Sequence, residues 1–80
     1  MNVEDALKWI ADLFEESAED VQPKTPRDDM PAWDSLGSLT LIAGMDETFD
    51  ILLSDEDIQA MNRVDDILEI LRKNGKLEEI

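Results

Sequence analysis

Eighty residues, 42% of them hydrophobic and 35% charged, with a formal net charge of −14, describe one small domain with a modest core. That charge argues against nucleic acid and anionic membrane, whose phosphates it repels, and favours partners with basic surfaces. The chain has no cysteine and no histidine. This excludes a disulfide framework, a thiolate zinc site and every histidine-dependent triad.

The acidic start, Met1 to Asp5, leads into no secretory h-region, and no apolar run nears the roughly 20 residues that span a bilayer. A cytoplasmic chain without membrane insertion is expected, and strong like charge makes a monomer the default.

Residues 3–17 read as a helix, with Val3, Ala6, Leu7, Ile10, Leu13 and Phe14 on one stripe. Asn2 suits the N-cap, Glu4 and Asp5 suit the first turn, and Trp9 lies at the edge of the stripe. Residues 18–33 hold Pro23, Pro26 and Pro31 and read as a long loop, pinned to the core by Val21, Met30 and Trp33.

Asp34 caps a second predicted helix and puts Ser35 at its first position. Leu36, Leu39, Leu41, Ile42, Met45 and Phe49 form its apolar face. Gly37 and Gly44 weaken it by roughly 1 kcal/mol each relative to alanine. Two such glycines suggest close approach by a helix, a loop or a ligand; tolerated small residues are the plain alternative.

Ser54 with Asp57 opens a short third helix containing Ile58 and Met61. Asn62 with Asp65 is the next cap signal, before a last helix with Val64, Ile67, Leu68 and Leu71. Asn74-Gly75 ends it, and Arg72 and Lys73 complement its dipole. Phe49 to Leu53 is locally ambiguous between helix and strand. The expected fold is all-α: one domain over 1–80, an antiparallel four-helix bundle with a short third helix and a long first loop.

Little of this can catalyse. No lysine stands in a Ser-Lys motif, and Asp55-Glu56-Asp57 lacks the alternating ligands and central glycine of a calcium loop, so no dedicated metal site is expected. Between Asp28 and Asn62 there is no Lys or Arg. The same stretch holds nine acids: Asp28, Asp29, Asp34, Asp46, Glu47, Asp50, Asp55, Glu56 and Asp57. That is a docking face or a solubilising one. Ser35 remains, a hydroxyl at a helix N-terminus, where an attached phosphate is favoured. Ser38 lies one turn further on and lacks the preceding acid.

Asp34-Ser35-Leu36, followed by an apolar helix to Asp46-Glu47-Thr48-Phe49, resembles the acyl carrier protein signature. The match continues through Ile51, Asp55-Glu56-Asp57 and Arg63-Val64-Asp65-Asp66-Ile67, and covers nearly the whole chain. The resemblance implies that Ser35 receives 4′-phosphopantetheine from coenzyme A through a phosphopantetheinyl transferase, normally with magnesium. The arm supplies the thiol the chain lacks and carries acyl groups as thioesters; the protein itself is not an enzyme. Asp34 then matches the acid that helps the transferase bind metal. Asp46 and Glu47 match the acidic helix end that partner enzymes read with Lys and Arg, and Leu36 matches an apolar contact position. Acyl-activating and acyl-transfer enzymes are the implied partners.

Ala32-Trp33 replaces the usual glycine turn, and Gly37 and Thr40 stand where fatty-acid carriers place acids. Gly37 is similar to D-alanyl carriers. These departures point to a specialised fatty-acid, polyketide or envelope-lipid carrier. The alternatives are an aminoacyl or D-alanyl carrier, or an acidic interaction module without a prosthetic group. For an acyl chain, Ala43, Gly44, Met45, Ile58 and Met61 are expected to line a gap between the second and third helices.

Overall fold

Asn2 starts the first helix, α1 (Val3–Leu13), by accepting the Asp5 N–H on its side chain at 2.8 Å. Ala6, Ile10, Ala11 and Phe14 turn into the core. The helix stops short of residue 17. Glu15 enters the left-handed region (φ 57°), and the Glu16 N–H closes the end on the Ala11 carbonyl at 2.8 Å. Phe14 then stacks on Trp33, ring centroids 5.4 Å apart. Trp33 is buried and its indole N–H has no hydrogen-bond partner among the described residues, so stacking holds this ring. The structure, a computed structural model, describes residues 1–78; positions 79 and 80 of the expected domain lie outside them.

The proline-bearing loop makes two single 3₁₀ turns, Ala18–Asp20 and Arg27–Asp29, and buries Val21, Met30 and Trp33 as expected. Its backbone also serves another element. The carbonyls of Thr25 and Pro23 accept the N–H groups of Val64 and Asp65 at 2.9 and 2.8 Å, and the Arg27 N–H returns a bond to the Asn62 carbonyl. The loop thereby satisfies donors that the start of the last helix would leave without partners.

α2 (Ser35–Phe49) ends at Asp50, whose N–H bonds the Asp46 carbonyl at 3.1 Å and whose left-handed φ of 56° turns the Ile51 N–H back to the Met45 carbonyl at 3.2 Å. Residues 50–54 are irregular, which settles the ambiguous segment as helix end and loop. Leu41 and Met45 are buried, but Leu36 and Leu39 are 72% and 62% exposed, against the single apolar face expected. No charged residue stands between Ser35 and Met45, so the pattern has no polar side to orient it.

α3 (Asp55–Gln59) carries the expected reciprocal cap between Ser54 and Asp57. α4 (Val64–Lys73) departs from expectation: its flanking residue is Arg63, not Asn62, and the capping acid is Asp66, not Asp65. The Asp66 carboxylate accepts the N–H groups of both Asn62 and Arg63, at 2.7 and 3.2 Å. Asp65 instead pairs with Arg72 at 3.3 Å. The helix closes at Asn74-Gly75, with Gly75 at φ 69°.

The four helices and the first loop bury Ile10, Phe14, Val21, Leu41, Met45, Val64, Ile67, Leu68 and Leu71 in one core. Among the described residues there is no regular strand, only isolated bridges at Asn2–Glu78 and Pro26–Arg63. No helix there is long and apolar enough to cross a membrane.

Candidate functional site

Asp34 is extended and its carboxylate accepts the Gly37 N–H at 2.9 Å, while its carbonyl takes the Ser38 N–H at 2.8 Å. This local cap makes Ser35 the first residue of a 15-residue helix and leaves it exposed at the positive end of the dipole. Leu36 projects beside it into solvent.

Ser38 has a different setting. It is 7% exposed, and its hydroxyl accepts a hydrogen bond from Arg27 Nη2 at 3.3 Å. Arg27 Nη1 donates to the Ile58 carbonyl at 3.4 Å, and the guanidinium lies 5.4 Å from the centre of the Trp33 ring. One side chain thus ties the loop to α2 and α3. Sequence reasoning missed Arg27, whose only local signal is its place as the last basic residue before the acidic stretch.

Both glycines of α2 answer to close approach. A Cβ on Gly37 would stand 1.9 Å from the Ala32 carbonyl oxygen, so the loop crosses the helix there. A Cβ on Gly44 would stand 2.9 Å from Leu13 Cδ1 and 3.2 Å from Trp9 Cζ2, so α1 packs there. Trp9 meets Phe49 edge-on at 5.0 Å on the same side.

The acyl gap expected between α2 and α3 is not assembled. Ala43 is exposed, and Gly44 faces α1 rather than α3. The helical period puts neither on the flank that meets the third helix. Met45, Ile58 and Met61 are buried in the common core. A cleft of about 300 Å³ opens instead beside Ser35, between the end of α1 and the start of α2, with Leu13, Phe14, Glu15, Ala32 and Thr40 among its walls.

Asp46 and Glu47 are exposed near the far end of α2, about 17 Å along the helix from Ser35 at 1.5 Å per residue. Among the described residues, no three His, Cys, Asp or Glu side chains converge as a metal-holding group.

The site is thus a helical scaffold that presents Ser35, exposed, at a capped helix start. No family model matches the chain. It is 42% identical over 57 residues to an acyl carrier protein of Desulforapulum autotrophicum, covering 71% of this chain and 74% of that protein. To an acyl carrier protein of Bdellovibrio bacteriovorus it is 41% identical over 49 residues, 61% of this chain and 62% of that one. To one of Syntrophus aciditrophicus it is 29% identical over 69 residues, 86% of each. The solution structure of a holo acyl carrier protein from Geobacter metallireducens superposes with a TM-score of 0.74 at 27% identity, over 92% of this chain and 86% of that one. The chain belongs to the acyl carrier protein family, whose members carry cargo for enzymes and are not enzymes themselves.

Proposed function

We propose that Ser35 bears 4′-phosphopantetheine and that the chain presents acyl groups to the enzymes of a specialised fatty-acid, polyketide or envelope-lipid pathway. The contrast between its two neighbouring serines carries this reading. Ser35 is exposed behind the capping Asp34, whereas Ser38 is buried and occupied by Arg27. The residues suit the group: the start of α2 favours a phosphodiester, and no side chain covers the Ser35 hydroxyl with a hydrogen bond among those described. When bound, the arm supplies the thiol on which acyl groups travel as thioesters.

Ser35 anchors the arm, and Asp34 holds the anchor in place while offering a carboxylate to a transferase-bound metal. Leu36 offers an exposed apolar contact, and Asp46 and Glu47 offer charge to basic docking surfaces on the transferase and on acyl-activating and acyl-transfer enzymes. Gly37 loses its weight as a D-alanyl-carrier signature, because the Ala32 carbonyl alone requires a glycine there. A monomer in the cytoplasm is the setting this reading takes.

Intact mass after incubation with coenzyme A, magnesium and a broad-specificity transferase tests it. One added phosphopantetheine is expected on the wild type and on Ser38→Ala, and none on Ser35→Ala. No addition to a folded wild-type chain would favour an acidic interaction module instead.

A further inference from the structure

We infer that the cleft between the end of α1 and the start of α2 seats the pantetheine portion of the arm; this rests on Ser35 being its attachment point. The two chain neighbours of Ser35, Asp34 and Leu36, both line the cleft. The mouth is therefore one residue from the anchor. Tethering on so short a path raises the local concentration to the millimolar range, so even weak complementarity fills the site.

The cleft's chemistry matches a chain of methylenes and amides. Leu13, Phe14 and Leu36 offer apolar walls, and Glu15 and Asp34 add two acidic residues to the lining, whose carboxylate oxygens can accept from amide N–H groups; one Asp34 oxygen already takes the Gly37 N–H. Its volume, about 300 Å³, is at the small end for ligand sites. That suits the pantetheine unit and leaves no room for a long acyl chain as well. The walls are held by packing: Phe14 by its stack on Trp33, and Gly37 by the Ala32 carbonyl.

The opposite flank of α2 is tied to α3. Arg27 bridges Ser38 and the Ile58 carbonyl across the α2–α3 seam, and Met45, Ile58 and Met61 fill the core behind it. An arm on Ser35 meets a tied seam on one side and a cleft on the other.

The test is NMR on the holo chain, with occupancy of Ser35 established by mass. Nuclear Overhauser contacts are expected from the pantetheine methyls and methylenes to the Phe14 ring and to Leu13 and Leu36 methyls. Amide shifts at Glu15, Ala32 and Thr40 should differ between apo and holo forms. Thr40 is exposed, so Thr40→Trp fills the cleft from its rim. It should abolish these contacts while still accepting the arm, and Thr40→Val should keep them. If Thr40→Trp does not fold, the wild-type contacts alone decide. A holo chain whose arm shows no such contacts, or contacts Ile58 and Met61 instead, overturns the cleft and leaves the carrier reading standing. A chain that accepts no arm overturns both.

Discussion

The two flanks of α2 are built differently. Toward α1 the helix carries glycines: Gly37 admits a loop carbonyl and Gly44 admits Trp9 and Leu13. Close backbone approach there ends in a cleft next to Ser35. Toward α3 the contact is a tie, in which Arg27 reaches Ser38 on one helix and Ile58 on the other. A single helix therefore presents a permissive side and a fastened side. Neither property follows from how apolar the helix is. One follows from missing side chains, the other from one long side chain with several donors.

The sharpest way to break the contrast between the two serines is removal of each hydroxyl. Ser35→Ala should lose phosphopantetheine addition completely while its thermal midpoint stays near wild type, since the side chain is exposed and makes no hydrogen bond among the described residues. Ser38→Ala should accept the arm.

Next in size is Gly37→Ala. The added methyl meets backbone, which cannot rotate away, so overpacking outweighs the helix propensity gained. A net loss of about 2 kcal/mol is expected, a fall of roughly 10 °C in thermal midpoint for a domain of this size. Calorimetry or circular dichroism measures it, and an unchanged midpoint would show that the loop yields freely.

Reversal of charge at both Asp46 and Glu47 to lysine should raise the transferase KM on the order of tenfold at low salt, with the difference shrinking as salt is added. An equal effect at all salt concentrations would argue against electrostatic docking.

Arg27→Ala should cost about 1 kcal/mol, because its bonds are long and the side chain is only partly buried. Its distinguishing sign is local: amide exchange at Ile58 and Met61 should quicken more than at Ile10 or Leu41. Arg27→Lys should restore this only in part, since an ammonium lacks the planar fork that spans two acceptors.

The smallest effect belongs to Gly44→Ala. Its neighbours are the ends of flexible side chains, and the helix gains about 1 kcal/mol of propensity. The net change should stay within about 0.5 kcal/mol. A loss as large as that of Gly37→Ala would mean that α1 cannot retreat from α2.

Much of the site is legible in the sequence because it is local. Asn2, Asp34 and the Ser54–Asp57 pair cap as their side chains dictate, with bonds spanning three residues. Loop anchors Val21, Met30 and Trp33 are legible as isolated apolar residues among prolines. The departures share a cause: each needs a distant partner. The first turn of α4 rests on loop carbonyls some forty residues earlier in the chain, so the cap lies at Arg63 and Asp66 rather than at Asn62 and Asp65. α1 stops early at Glu15, just past the stack of Phe14 on Trp33. Ala43 and Gly44 miss the α3 flank because a helix with apolar residues on most sides has no unique inward direction in its sequence.

By itself the sequence determined that this chain is a small, strongly acidic helical domain with Ser35 at a capped helix start, because composition and caps act over a few residues. Tertiary structure decided which leucines of α2 reach solvent, which serine is sequestered, why two glycines are present and where a cleft opens. Those outcomes depend on backbone and side chains far apart in the chain competing for the same space around one apolar helix.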